Sequence, residues 1–286
     1  MIDAHVHLGW YSRKKTGLHY YSPRRILGVL DRGGVDEFIV SSTTAQAIGA
    51  TIDGVVSEAR EMRRLAEMRA KIFYWLSGAF YEKDPNLTAL ETGLFDGIKL
   101  HELEGHWVEK RPSALWRVLR IAQERGLPVQ FHSGLNEFCS PRVLAKFARE
   151  FPSVRFDFAH CRPTDEMAEV VAACPNVWTD TAFMDASELR ELPRYDWHGR
   201  LMFGSDLPVW QAHETTPLTS RLRSCLAAFC ATGLERESDS GFARYVQNAS
   251  SFGSGADKAR IICRAVSSLT SRCRGTGCVA PVITLR

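Results

Sequence analysis

Eight β-rich runs alternate with helical stretches through residues 2–252, at intervals of roughly 25 to 40 residues. The runs cover 2–9, 35–40, 71–76, 95–101, 129–134, 154–160, 176–180 and 200–208. A helix is expected from Ser22-Pro23, where a capping serine precedes proline at the first helical position, to the Gly33-Gly34 stop. Further helices are expected over about 53–68, 86–92, 112–125, 141–151, 164–173, 185–192, 216–232 and 241–252. Alternation of this kind predicts an α/β fold, and eight repeats predict a (β/α)8 TIM barrel, regular or distorted, with a C-terminal extension. The rival architecture, an open doubly wound sheet, calls for a Gly-rich phosphate turn after a strand, and neither G-x-G-x-x-G nor a P-loop occurs.

Barrels of this type carry their chemistry at the C-terminal ends of the strands. Those ends hold His5 and His7, Lys99, His132, His160 and Asp206. In an extended strand His5 and His7 share one face, while Ile2, Ala4, Val6 and Leu8 take the other. Two such imidazoles, with Gly9 closing the strand, are half of a metal site or simply two surface histidines. His160 suits acid/base work, or serves as a further ligand or a structural histidine. Asp206 is a candidate ligand or the partner of an ion pair or helix cap. His101 shares a face with Lys99 and either orients a ligand or lies on the rim. Arg162, two residues after His160, would bind a substrate carboxylate or lead into the next helix. The segment 10–15, with Trp10 and Tyr11, reads as a loop over the site or an ordinary solvated loop. Trp10, Tyr11, Phe80, Tyr81, Phe183 and Trp210 lie near strand ends and would line an aromatic pocket or pack the core.

The 286 residues are enough for one barrel or two smaller domains, and 45% hydrophobic with 24% charged residues is ordinary for a globular chain. No apolar run approaches the roughly 20 residues of a membrane helix. Asp3 and His5 stand where the apolar core of a secretory leader would lie, so none is expected. The eight cysteines include no Cys-x-x-Cys pair, which suggests reduced thiols and a cytoplasmic enzyme. Residues 253–286 carry six basic residues and one acid, so this tail is +5 and the rest of the +3 chain is −2. A near-neutral body gives no case for nucleic-acid binding, and a small-molecule substrate is expected instead. Association with further copies of the chain is left open. Two parts are thus expected: a barrel over 1–252 and a loosely held Ser/Gly/Arg/Cys-rich tail over 253–286, the latter inert or a basic arm.

The signals at 2–7 (IDAHVH), 97–101 (GIKLH), 128–134 (PVQFHSG), 158–160 (FAH) and 203–208 (FGSDLP), with VQNA at 246–249, together resemble the amidohydrolase superfamily. They are most similar to its amidohydrolase-related (family 2) branch, and the resemblance spans residues 2 to about 252. The resemblance implies that His5, His7, His132 and Asp206 hold one divalent metal. Three neutral imidazoles and a carboxylate suit Zn²⁺, with Mn²⁺ as the alternative. It also implies that Asp206 takes the proton of an activated water while His160 acts as acid or base. In two-metal members the lysine at the place of Lys99 is carboxylated. Here one ion is expected, with Lys99 a cation near the substrate or a structural residue. The implied activity is a metal-dependent hydrolase cleaving a C–N or ester/lactone bond of a small molecule, and the alternative is a non-oxidative decarboxylase of an aromatic or enoic acid. A nuclease is disfavoured by the charge, and a non-catalytic barrel by the full set of ligands.

Overall fold

The computed structural model describes residues 1–13, 17–134, 136–212 and 216–247. Met1–Val246 is one compact unit. The expectations for the tail 253–286, Asn248 and Ala249, and Lys14 and Lys15 lie outside the described residues.

The chain opens with a hairpin, β1 (Ile2–Arg13) and β2 (Gly17–Tyr21), followed by α1 (Pro23–Gly33) and β3 (Glu37–Ser42). Then come α2 (Ile52–Ala66), β4 (Ala70–Trp75), α3 (Gly78–Lys83), β5 (Gly97–Leu100), α4 (Glu102–Gly105) and α5 (Pro112–Arg125). They lead to β6 (Val129–His132), α6 (Pro141–Glu150), β7 (Phe156–Ala159), α7 (Thr164–Ala173), β8 (Val177–Asp180) and α8 (Ala186–Glu191). The short β9 (Leu201–Met202), α9 (Leu218–Cys230) and α10 (Glu235–Val246) complete it. The helix ends follow local chemistry. Ser22 Oγ accepts from Arg25 N at the start of α1, and Gly34 adopts φ 81° to end it. Pro112 opens α5 and Gly126, at φ 65°, closes it. No helix among the described residues is long and apolar enough to cross a membrane.

The nine strands form one sheet in the order β2-β1-β3-β4-β5-β6-β7-β8-β9, antiparallel only between β1 and β2. The sheet curls. Beyond β9 the chain hydrogen-bonds back to β1, with Ala4 N donating to Phe203 O at 2.7 Å, Asp206 N to His5 O at 2.8 Å and His7 N to Leu207 O at 2.5 Å. These bonds carry Asp206 beside the first strand.

Three local expectations need correction. Gly9 does not end the first strand. At φ 96° it swings the chain from parallel pairing with β3 to antiparallel pairing with β2, where it faces Tyr21. The segment after it is therefore half of a hairpin and not a plain loop. Ala4 does not share a face with Val6 and Leu8. The β1–β3 register shifts between Asp3 and Val6, and the extra residue reverses the alternation. Ala4 joins Ile39, Phe73, Trp178 and Met202 in one apolar cluster, while Val6 and Leu8 join Phe38, Val40 and Ile72 in another.

The two clusters are the two faces of the sheet, because successive residues of β3 and β4 divide between them. The smaller is capped by Phe242 and Tyr245 of α10. Along the face of that cluster the strands change character toward their C-terminal ends. Ile39 gives way to Ser41 and Trp178 to Asp180, both buried. Burial of polar side chains is costly unless they are hydrogen-bonded, and these two are bonded to histidines of β1, Ser41 to His7 and Asp180 to His5.

Candidate metal centre

His5 is the hub of the polar end. Its Nδ1 lies 2.8 Å from Asp180 Oδ2, its Nε2 lies 3.1 Å from His7 Nε2, and Lys99 Nζ is 3.2 Å from that same Nε2. Asp206 Oδ1 stands 3.1 Å from His7 Nε2 and 3.7 Å from His5 Nε2. His7 Nδ1 is 2.9 Å from Ser41 Oγ. All six side chains are buried. The ligand-type atoms of His5, His7 and Asp206 lie within 4.8 Å of one another, as do those of His5, His160 and Asp180. A third such group among the described residues, Glu102, His106 and Glu109, is a loop cap, since Glu102 accepts from Val108 N and Glu109 N.

Asp180 fixes the tautomer of His5. An ionised carboxylate only accepts, so Nδ1 carries the proton and Nε2 presents a lone pair. The lone pair faces a second imidazole and a carboxylate. In this arrangement His7 Nε2 faces two acceptors, the His5 lone pair and the Asp206 carboxylate, and donates. The Ser41 hydroxyl can donate or accept at Nδ1, which lets His7 move that proton and present a lone pair to a cation. Two nitrogens and one oxygen crowd a small volume, the nitrogens backed by Asp180 and Ser41, and this donor set fits a divalent cation of zinc type.

Electrostatics agree. Burial pushes the His7 imidazole down to about 4, with the Asp206 hydrogen bond only partly opposing it, so the ring is neutral near pH 7. Burial lowers His160 to about 3. For Asp206 burial acts upward, yet the His7 hydrogen bond and the nearby His5 and His160 hold it well below the usual carboxylate range. Asp180 is likewise held low, burial being outweighed by His5, His160 and Lys99. Burial lowers Lys99 against the pull of Asp180, Asp206 and Asp157.

His132 sits apart from the tight groups. Its Nδ1 is 2.8 Å from His160 Nε2, and His160 Nδ1 is 3.1 Å from Ala182 O. A carbonyl only accepts, so His160 carries its proton on Nδ1 and receives one at Nε2 from His132. The Nε2 of His132 is thereby left as a lone pair. The His132 ring stacks on His101 at 3.9 Å, and His101 in turn stacks on Trp75 at 5.8 Å.

A cavity of about 440 Å³ opens over these groups. It is lined by His5, His7, His132, His160 and Asp206, and also by Lys99, His101, Arg162 and Trp10. Tyr11, Trp75 and Phe183 join its walls. Phe80 is core, Tyr81 faces a different surface hollow, and Trp210 lies behind Phe183, stacked at 4.2 Å. Four residues at this end, His160, Cys161, Phe183 and Asp206, hold positive φ between 46° and 78° without being glycine. Strained backbone of this kind, on the order of 1 kcal/mol or more per residue, collects at functional sites.

The sequence reading missed Asp180, Ser41 and Gln130. Gln130 Nε2 donates to Asp157 Oδ2 at 2.8 Å and to Ala4 O at 3.0 Å, and approaches Asp180 Oδ2 at 3.5 Å. Asp180 closes the run expected as a strand over 176–180, much as Asp206 falls near the close of the run expected over 200–208, and that is the signal that could have found it.

Residues 2–230 match the family model described as Amidohydrolase. No curated protein sequence matches the chain. Among solved structures, amidohydrolase 2 from Bifidobacterium longum subsp. infantis is similar at 17% identity and a TM-score of 0.57, covering 86% of this chain and 97% of that one. A probable 2-pyrone-4,6-dicarboxylic acid hydrolase from Acinetobacter baumannii, with citric acid bound, gives 12% and 0.55, covering 86% and 98%. IDCase from Metarhizium anisopliae gives 13% and 0.52, covering 85% and 94%. At such identities these likenesses establish a common fold.

Proposed function

The chain belongs to the amidohydrolase family, and from that premise we propose that it is a metal-dependent hydrolase of a small molecule, cleaving a C–N or ester/lactone bond. The hydrogen bonds from β1 to residues 203–207 support a closed (β/α)8 barrel over 1–252 as its frame. The observation that carries the reading is the convergence of His5 Nε2, His7 Nε2 and Asp206 Oδ1 at one mouth of that frame.

His5, His7 and Asp206 would hold a single zinc ion, with His132 as the fourth donor through Nε2. The ion would supply Lewis acidity, bringing the pKa of water down to about 7. Asp206 is ionised and takes a proton from the attacking water at Oδ2. His160, neutral because burial lowers it to about 3, would act as a base at Nε2 only after the hydrogen bond it accepts there from His132 gives way to the incoming proton donor. Lys99 contributes positive charge beside His5 and is not carboxylated in this reading. Trp10 and Tyr11 close the mouth from the hairpin.

Aromatic walls at Trp10, Tyr11, Trp75 and Phe183 favour a second reading, a non-oxidative decarboxylase of an aromatic or enoic acid. Product analysis separates the two. Turnover of a panel of lactones, amides and aromatic acids that yields a new carboxylate supports hydrolysis. Release of carbon dioxide would replace it with decarboxylation.

A further inference from the structure

Glu58 of α2 is a buried carboxylate with no cation paired to it among the described residues. Its partners are two hydroxyls at the end of β3. Ser42 Oγ donates to Oε2 at 2.5 Å, and Thr44 Oγ1 donates to Oε1 at 2.8 Å. Burying a carboxylate without a cation is costly, and a neutral side chain would avoid the cost. What the carboxylate alone supplies is direction. It accepts at both oxygens and donates nowhere, so both hydroxyls turn their hydrogens toward Glu58. Their lone pairs are left for backbone N–H groups. Ser42 Oγ accepts from Thr44 N at 3.1 Å, and Thr44 Oγ1 accepts from Trp10 N at 3.3 Å.

The bond to Trp10 N reaches the hairpin that walls the cavity. Gly9, where β1 passes from β3 to β2, is seated on the same two hydroxyls. A Cβ there would lie 2.4 Å from Thr44 Oγ1 and 2.8 Å from Ser42 Oγ. Thr43 Oγ1 adds a bond to Leu8 O at 2.7 Å. From this anchored pivot the hairpin carries Trp10, Tyr11 and Leu18 to the cavity, and the turn Thr43–Gln46 brings Thr43 and Gln46 to the same wall. The outer side of the hairpin is open. Trp10 is 41% exposed, Tyr20 37% and Leu18 59%, and Trp10 and Tyr20 stack on each other at 5.0 Å. Apolar burial contributes little for side chains left so exposed, so the position of the mouth depends on the polar anchor beneath it.

We propose that Glu58 is a positioning residue of this site: its carboxylate orients the Ser42 and Thr44 hydroxyls, Thr44 in turn holds Trp10 N, and the hairpin is thereby fixed so that Trp10 and Tyr11 grip the body of a ligand whose reacting group faces His5, His7 and Asp206. Glu58 acts through these links and does not itself line the cavity. The proposal rests on the metal-dependent reading above. A neutral isostere does not replace the carboxylate. Glutamine accepts at its oxygen and donates from its nitrogen, so one of the two hydroxyls loses its acceptor. Either loss loosens Thr44, since Ser42 Oγ holds Thr44 N and Thr44 Oγ1 holds Trp10 N. Thr44→Val acts on the next link. It keeps Glu58 and removes the acceptor of Trp10 N at nearly the same volume.

The test joins hydrogen exchange of the Trp10 amide to calorimetric titration of benzohydroxamate and acetohydroxamate into the metal-loaded wild type, Glu58→Gln and Thr44→Val, with metal content measured on each sample. Both probes ligate a divalent ion through the same head group, and only benzohydroxamate carries a ring for the hairpin to grip. In both variants the Trp10 amide should exchange about tenfold faster, as loss of one hydrogen bond implies. Benzohydroxamate should bind about three- to tenfold more weakly, as the re-ordering of a loosened side chain implies. Acetohydroxamate affinity and metal content should match the wild type. A merely structural role lowers the melting temperature and leaves the ratio of the two affinities unchanged. An unchanged ratio, or unchanged exchange at Trp10, overturns the proposal and leaves the metal reading standing. A wild type that takes up no metal removes the metal reading, and exchange at Trp10 alone then decides whether Glu58 anchors the hairpin. If Glu58→Gln does not fold, Thr44→Val carries both measurements.

Discussion

His5 and Asp180, 175 residues apart, meet through Nδ1 and Oδ2 at 2.8 Å with both side chains buried. The contact decides which nitrogen of His5 faces the cavity. Asp180 is itself held by the backbone N–H groups of His160 at 3.1 Å and Ala182 at 2.9 Å, so the acceptor cannot drift. Asp180→Asn should therefore keep the fold and weaken metal binding by about ten- to a hundredfold, the usual effect of losing the partner behind a ligand. Competition with a chromogenic chelator measures it, and unchanged affinity would remove Asp180 from the centre.

His160→Asn separates two roles. As a base, His160 is worth about a hundred- to ten-thousandfold in turnover with metal retained. If it serves instead to orient His132 through their 2.8 Å contact, metal content should fall together with activity. Steady-state rates and metal analysis on one preparation distinguish these outcomes.

Gly204 sits where a methyl group does not fit. A Cβ there would lie 2.9 Å from His5 Cβ and 3.2 Å from Asp180 Cγ. Gly204→Ala should cost about 1 to 3 kcal/mol of stability through overpacking and should displace His5, lowering metal occupancy as well. A variant with wild-type melting temperature and full metal content would contradict the tight packing behind the centre.

Stability of the metal-free protein should fall as pH drops below about 6.5. Burial lowers His7 to about 4 and His160 to about 3, and holds His101 and His132 well below their ordinary value. In the unfolded chain each titrates near 6.5, so between that pH and the folded values the unfolded state binds more protons and gains. Asp3, raised by burial to about 7, and Asp157, Glu102 and Asp239, also raised by burial, act in the opposite sense. The four imidazoles are neutral in the folded chain over the whole window from about 6.5 to about 5, and together they outweigh the fully buried Asp3 and Asp157 and the raised Glu102 and Asp239. The urea midpoint of chelator-treated protein at pH 5 should lie below that at pH 7, and a higher midpoint at pH 5 would contradict the neutral, buried histidines.

Much of the frame was legible because its signals are local. Pro112 and Gly126 bracket α5, and the ends expected for α5 and α7 match those found. The α/β alternation was legible too, since each parallel strand is a short apolar run. What escaped depends on pairing partners far along the chain. Gly9 redirects β1 because β2 and β3 both lie beside it, and the shift between Asp3 and Val6 exists only in the pairing with β3. The short α3 and α4 are too brief to show a period. In the centre the histidines stood out as residue types, whereas Asp180, Ser41 and Gln130 matter only through contacts that the fold creates.

Metal analysis of the purified wild type beside the His5→Ala/His7→Ala double variant is the most direct test. The account predicts about one divalent ion per chain in the wild type and almost none in the double variant, both folded. Equal metal content in the two proteins would contradict it.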